Sequence, residues 1–350
     1  MDEIIAPFDP SKIRMDSKVQ SIYTLMSRVR HNEILTPTYQ RKSVWNNDNK
    51  SRLIESLLVR IPIPVFYIDA TDEDQWKIID GLQRITALKE FLVDKTLRLS
   101  GLEYTTSFEG LSYDELPRSF IRRIEETEVT IVFINQGTPD NVKFNIFKRI
   151  NTGGTPLTPQ EIRHALNDGK PTILLNELAD WRIISEFWGT DNDRMELNAL
   201  VLRALGYLLL DVDAIFEMKI EDYLDEAMKK INELDEDEIN KVKAKFKNSI
   251  NDLIKIFGDM VFRKKSSQPQ RKKPINKNIF ETWMAVILNI TKTQRKLLVE
   301  RKGVVLDLFD RLQDDSKFNF AISSRKPESM RTRHNMLMSK IQELINDKLI

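Results

Sequence analysis

The chain has 350 residues, in which 54 lysines and arginines almost balance 53 aspartates and glutamates, for a formal net charge of +1. This balance excludes a histone-like polycation and an acidic solvating chain, but it is compatible with local basic patches. Cysteine is absent and only three histidines occur. Disulfides, zinc ribbons, iron–sulfur clusters and thiol nucleophiles are therefore excluded, and we predict no metal-ligand set of that kind.

Short strand-like and helix-like runs alternate through the first part of the chain. Apolar residues at helical spacing predict a helix over 19–29 and another over 48–58, which the prolines at 62 and 64 end. Strands are predicted over 65–68, 76–79 and 128–134, and a helix over 85–93. We therefore expect an α/β or α+β fold in which helices accompany a small sheet.

After Asn135 the pattern becomes almost wholly helical. Thr138 and Pro139 are predicted to cap and open a helix that runs to residue 150. Thr158 and Glu161 have the spacing of a capping box, so another helix begins there. Helical periodicity then continues to the end, with a long charged helix around 235–262. We predict two domains, one over 1–165 with the sheet and a mostly helical one over 166–350.

No segment has the length and apolarity of a membrane span, and the first ten residues lack the basic region of a secretory signal. The expected location is therefore the cytoplasm, without a membrane partner.

The most informative segment is the strand–turn–helix transition at Asp80, Gly81, Gln83 and Arg84. A helix N-terminus presents unpaired N–H groups and partial positive charge, and an arginine adds further donors, so this junction suits phosphate. Asp80 could hold Mg²⁺ through water or orient Arg84 by a salt bridge. The alternative is a plain turn with Arg84 on the surface, and spacing alone favours that alternative.

Two other polar segments could contribute to the same site. Residues 39–45 combine Gln40 and Arg41, which can hold a phosphate, with Trp45, which either stacks on a ligand or packs in the core. Residues 147–157 contain Gly153 and Gly154, whose small size lets a ligand approach the backbone. Each could equally be an ordinary connection between elements.

The order of these segments resembles the N-terminal domain family of the GmrSD modification-dependent restriction endonucleases. The matching stretches are YQRxxxW, IPIP, the DGxQR turn and FxRINTGGTPLTPQEIR. The resemblance implies an α+β, ParB/sulfiredoxin-like fold with a small mixed sheet. It also implies that this fold binds a nucleoside triphosphate, which Mg²⁺ could accompany, in defence against foreign DNA. By the same resemblance, the nucleotide-binding residues are Gln40, Arg41, Gly81, Arg84, Asn151, Gly153, Gly154 and Arg163.

Catalytic roles would fall to Asp80, Gln83 and Arg84, with Gln83 positioning water for hydrolysis. The chain departs from the family at Leu82, where a glutamine is usual. Because a leucine cannot orient water or a phosphate oxygen, binding is better supported than hydrolysis.

The second half lacks the closely placed His and Asn residues of an HNH nuclease. His164 is expected to be solvated or at the site edge, and His334 is expected on the surface. We therefore expect a stand-alone sensor, with any DNA cut by a partner nuclease or by an unrecognised carboxylate site. The alternative is a non-enzymatic regulatory or antitoxin-like module that binds a partner protein.

Two basic stretches suggest DNA contact through phosphates, although each could be a solvated loop. One spans 323–333. The residues predicted for the other are Arg263, Lys264, Lys265, Arg271, Lys272 and Lys273.

Overall fold

The computed structural model describes residues 12–35, 45–150, 158–167, 169–188, 193–265, 273–324 and 326–347. The chain divides into two compact units, Met1–Leu166 and Asn167–Ile350. Each unit has its own buried apolar core, and the sheet belongs entirely to the first.

The first unit contains a five-stranded mixed sheet in the order β1-β5-β3-β4-β2. Its strands are β1 (Met15–Ser21), β2 (Ile34–Leu35), β3 (Phe66–Ala70), β4 (Trp76–Asp80) and β5 (Glu128–Asn135). β5 lies between antiparallel β1 and parallel β3, whereas β4 runs antiparallel to β3 and parallel to β2. The predicted α+β class with a small mixed sheet is therefore confirmed.

Helices cover both faces of this sheet. Side chains of successive strand residues point to opposite faces, so both faces carry apolar side chains that the helices bury. The helices are α1 (Ile22–Arg30), α2 (Asn47–Leu58), α3 (Leu82–Leu88), α4 (Arg118–Glu126), α5 (Asp140–Ile150) and α6 (Pro159–Leu166). Phe66, Ile68 and Ile78 face the core formed with α1 to α4. Ile79 and Ile134 face a smaller core formed with α5 and α6. A π-helical turn, Lys89–Val93, extends α3.

The predicted helix over 19–29 is wrong at its beginning. Val19 lies in β1, where it pairs with Thr130 of β5, and α1 starts at Ile22. The Ser21 hydroxyl accepts a hydrogen bond from Thr24 N–H at 3.2 Å and caps the helix. The apolar spacing of the helix is real, but pairing with a distant strand decides where it begins.

The two predicted caps after β5 have different outcomes. Thr138 does not cap α5; its hydroxyl accepts from Arg14 N–H at 3.0 Å and donates to Arg14 O at 3.2 Å. The capping box at α6 is confirmed, since Thr158 Oγ1 accepts from Glu161 N–H at 3.2 Å and Glu161 Oε2 accepts from Thr158 N–H at 2.6 Å. The side chain of Thr138 therefore anchors the beginning of β1 instead.

The second unit is helical in its described residues, as predicted, apart from one isolated bridge between Arg263 and Ile275. The predicted long charged helix is α12. The helices are α7 (Lys170–Ala179), α8 (Arg182–Trp188), α9 (Glu196–Leu209), α10 (Val212–Glu217), α11 (Ile220–Glu233), α12 (Glu236–Phe257), α13 (Lys277–Leu288), α14 (Lys292–Glu300), α15 (Lys302–Asp314), α16 (Ser316–Ala321) and α17 (Pro327–Asn346). No helix within the described ranges is both long and apolar enough to cross a bilayer.

A charged cluster lies inside this helical unit. Glu281 of α13 is 1% exposed and forms an ion pair with Arg333 of α17, Oε2 to Nη2, at 2.9 Å. Tyr207 and Tyr223 donate their hydroxyls to Glu281 Oε1. The sequence places Arg333 in the exposed basic stretch 323–333 and predicts His334 on the surface, but both are buried. Both predictions are wrong because α17 packs into the core on this side.

Candidate functional site

The Asp80–Arg84 turn has the predicted strand–glycine–helix geometry. β4 ends at Asp80, Gly81 has φ of 100° and ψ of 10°, and α3 begins at Leu82. A Cβ on Gly81 would lie 2.4 Å from Phe66 Cδ1. Glycine is thus required at this position for two reasons: the left-handed backbone and the close approach of the Phe66 ring.

Arg84 is buried and hydrogen-bonded within the first unit, so the alternative that placed it on the surface is wrong. Its Nη2 donates to Asp80 Oδ2 at 2.8 Å and to Val65 O at 3.2 Å, and its Nη1 donates to Pro64 O. The guanidinium carbon lies 4.5 Å from the centre of the Phe66 ring. Arg84 therefore fastens the segment before β3 to the turn after β4.

Electrostatics at this pair are set by burial. Desolvation lowers the pKa of Arg84, and the negative charge of Asp80 and its hydrogen bond act in the opposite direction. Of the two roles left open for Asp80, its described contact is the salt bridge to Arg84. The Asp80 side chain is nevertheless 31% exposed, so its carboxylate also faces solvent.

Gln83 connects this turn to the second polar segment. Its Oε1 accepts a hydrogen bond from Trp45 N–H at 3.4 Å. Trp45 directly precedes Asn46, which caps α2 through Asn49 N–H at 2.9 Å, and the Trp45 ring packs against the core. Gln40 and Arg41 lie outside the described residues. The contact brings the end of the 39–45 segment to the first turn of α3.

Arg163 lies on the other face of the sheet from Arg84. It is 2% exposed, and its guanidinium carbon lies 5.4 Å from the centre of the Phe144 ring, within the α5–α6 layer. His164 is completely buried and contacts Gln160 Nε2 through Nδ1 at 3.1 Å, so its predicted solvated position is wrong. Asn151, Gly153 and Gly154 lie outside the described residues.

A buried charge pair beside α5 escaped the sequence reasoning. Asp69 of β3 is 6% exposed, and its Oδ2 lies 3.7 Å from Lys143 Nζ. Lys143 also donates to Thr71 Oγ1 at 3.3 Å. A charged residue within an otherwise apolar strand was the available signal, but a lysine on a helix is more typical of a solvated face.

Several of the predicted DNA-binding side chains contact the second unit itself. Arg263 donates to Asp259 O at 3.1 Å and to Lys273 O, Lys264 Nζ donates to Ser323 Oγ at 2.6 Å, and Lys265 Nζ pairs with Asp314 at 2.9 Å. Lys273 is exposed. Arg271 and Lys272 lie outside the described residues, and the DNA contact stays a prediction.

Comparison with known proteins identifies the first unit. Residues 22–167 match the family model described as GmrSD restriction endonuclease, N-terminal domain. A comparison with curated proteins gave no match. The matched span begins at the first residue of α1 and ends just after α6, so it contains the Asp80–Arg84 turn, Trp45 and Arg163. The resemblance seen in the sequence is confirmed: residues 22–167 match the GmrSD N-terminal domain family.

Proposed function

We propose that this protein is a nucleotide-binding, DNA-sensing component of a restriction-type defence system. Membership of a family described as the N-terminal domain of a restriction endonuclease supports the defence role. The observation that carries the nucleotide site is the hydrogen bond from Trp45 N–H to Gln83 Oε1, because it places Trp45, the last residue of the 39–45 segment, at the first turn of α3. This contact supports a site built from the Asp80–Arg84 turn and the 39–45 segment, two of the three segments from which the sequence predicts anion binding.

The backbone at the start of α3 suits a phosphate group. The first intrahelical hydrogen bond runs from Ile85 N–H to Gly81 O at 2.8 Å, so the N–H groups of residues 82–84 precede it. Among the described residues no side chain caps this helix end, and the N-cap residue itself, Gly81, has no side chain to do so. Uncapped N–H groups with the partial positive charge of a helix N-terminus attract anions.

The positive charge of the site is assigned mainly to Arg41. Arg84 already donates to Asp80 and to two carbonyl oxygens, so we assign it the role of holding the turn in shape. Gln40, Asn151, Gly153 and Gly154 are proposed to complete the cradle, as the family resemblance implies. Mg²⁺, where it accompanies the triphosphate, would be held by the exposed side of the Asp80 carboxylate, since Mg²⁺ uses few protein ligands besides phosphate oxygens.

Hydrolysis is proposed as a second step at the same turn, with Gln83 positioning the attacking water. The Gln83 amide is half-buried, and its bond to Trp45 N–H is long, at 3.4 Å, so little is lost when the amide turns towards a ligand. Leu82 packs against the core of the first unit and cannot take this role. DNA cleavage is assigned to a partner nuclease, with the exposed basic side chain of Lys273 among the proposed phosphate contacts.

The test is a thermal-shift titration of the full chain with ATP, GTP, CTP and UTP, each with and without Mg²⁺. We expect at least one triphosphate to raise the Tm, since a ligand that binds only the folded state stabilises it. Arg41→Ala and Gln83→Ala should reduce the shift. The matched control is Arg52→Ala, because Arg52 is an exposed arginine on α2 that pairs with Glu103.

The absence of a shift with all four nucleotides would contradict the proposal and would favour a module that binds a partner protein. A shift of equal size in Arg41→Ala, Gln83→Ala and Arg52→Ala would place nucleotide binding away from this turn. Hydrolysis is measured separately, as the rate of phosphate release. Gln83→Ala should lower this rate by a larger factor than it lowers the thermal shift.

A further inference from the structure

We propose that the outer edge of β1 pairs with the same edge of a second copy of this chain, so that two five-stranded sheets join into one. The first observation is the position of β1, which ends the sheet order and has β5 as its strand partner. In the described part of the chain, no strand pairs with its other edge. The opposite edge of the sheet, β2, has only two residues and offers little to a partner strand.

The register with β5 determines which backbone groups of β1 face outward. Asn135 N–H donates to Arg14 O at 2.8 Å and Ile22 N–H donates to Thr127 O at 2.9 Å, at the two ends of a seven-residue antiparallel ladder. Hydrogen-bonded pairs alternate along such a ladder, so the even-numbered residues of β1 bond to β5. The N–H and C=O groups of Met15, Ser17 and Val19 therefore point to the open edge.

The side chains along this edge are accessible and carry both charges. Met15 is 39% exposed and Val19 is 62% exposed. Asp16 and Lys18 are 45% and 69% exposed, and they approach each other only to 3.9 Å. A long edge with exposed apolar residues is a template for another strand, and charged side chains decide which strand it accepts.

One antiparallel register satisfies the backbone and the charges together. With Ser17 opposite Ser17 of the second copy, Met15 lies opposite Val19, and the outward N–H and C=O groups meet in three hydrogen-bonded pairs. Asp16 then lies opposite Lys18 of the second copy, and Lys18 opposite Asp16. These two are non-hydrogen-bonded pairs, in which facing side chains come closest and opposite charges stabilise the ladder.

The neighbouring registers are excluded by like charges. A shift that centres the pairing on Lys18 places two lysines opposite each other, and a shift that centres it on Asp16 does the same with two aspartates. Like charges directly opposite each other destabilise a strand pair. Of these three registers, the one centred on Ser17 alone places opposite charges against each other, and this self-complementarity favours a second copy as the partner.

The test measures the mass of the full chain in solution by light scattering during size-exclusion chromatography, across a wide range of concentrations. We expect twice the chain mass of 41.0 kDa at high concentration. Ser17→Pro should give the monomer, because proline removes an outward N–H while leaving the ladder to β5 intact. Circular dichroism and the Tm verify that each variant is folded.

Charge reversal separates this register from any other contact. Asp16→Lys and Lys18→Asp should each be monomeric, since each places like charges opposite each other. An equimolar mixture of these two variants should dimerise again, and so should the double variant D16K/K18D. Lys296→Asp is the matched control, because Lys296 is a 78% exposed lysine on α14 and its reversal should leave the dimer intact.

Two results would overturn the proposal. One is a wild-type chain that stays at 41.0 kDa at every concentration. The other is a dimer that survives Ser17→Pro and both single charge reversals, since its interface would then lie elsewhere.

Discussion

Asp80 and Arg84 form an i,i+4 ion pair across the turn between β4 and α3, with Asp80 Oδ2 2.8 Å from Arg84 Nη2. Arg84 also donates to the carbonyl oxygens of Pro64 and Val65, and its guanidinium lies over Phe66. A residue that the sequence predicts as a phosphate ligand therefore forms a structural link between the segment before β3 and the end of β4.

Arg84→Ala is expected to lower the free energy of unfolding by about 3 kcal/mol, because it leaves a carboxylate and two carbonyl oxygens without their donor. Urea denaturation followed by circular dichroism measures the change. Arg52→Ala removes an exposed arginine and is expected to cost no more than about 0.5 kcal/mol. Equal losses in the two variants would show that Arg84 has no structural role.

Gly81→Ala should destabilise the protein by about 2–4 kcal/mol. The alanine would have to adopt the left-handed backbone conformation of Gly81, and its Cβ would clash with the Phe66 ring. Gly110→Ala is the matched control: its φ is also positive, at +78°, but nothing lies within 4 Å of its added Cβ. In the same denaturation experiment the control should lose only about 1–2 kcal/mol of stability, because the alanine there has backbone strain but no clash. The difference between the variants then measures the contact with Phe66, and no difference would refute it.

Glu281→Gln is expected to cost about 3–5 kcal/mol, because Arg333 would stay buried without its counter-charge. Arg203, whose Nη1 lies 3.5 Å from Glu281 Oε2, would lose the same partner. Thermal and urea unfolding both report the loss. Glu233→Gln removes an exposed carboxylate that pairs with Lys230, and it should change stability by less than about 0.5 kcal/mol.

His334 should make the protein less stable in mild acid. Burial lowers the pKa of His334, and Arg333 lowers it further, whereas Asn335 and Asp213 oppose the shift. The unfolded chain binds a proton near pH 6.5 and the folded chain only at lower pH, so stability present above about pH 6.5 falls as the pH is lowered through the folded-state pKa.

The measurement is the free energy of unfolding at a series of pH values from neutral down to about 5. His334→Phe keeps a ring against Tyr207 and Phe216, which contact the imidazole, but it cannot titrate. Its stability should therefore fall less steeply with acid than that of the wild type. Identical slopes would mean that His334 titrates alike in the folded and unfolded chains.

Features that depend on neighbours in the chain could be predicted from the sequence. The capping box at Thr158, the strand ending at Asp80 with its glycine turn, and the change from mixed to helical structure after Asn135 all follow from hydrogen bonds and periodicities that span a few residues. The order of the polar motifs likewise identified the family of the first unit.

Features that depend on distant partners were decided by the tertiary structure. Val19 belongs to a strand because Thr130 lies opposite it, and Thr138 anchors Arg14 instead of capping the helix that follows. His164, His334 and Arg333 are buried because other helices pack over them. The physical reason is that local propensities are weak compared with pairing and burial, and the partners that provide these are far away in the sequence.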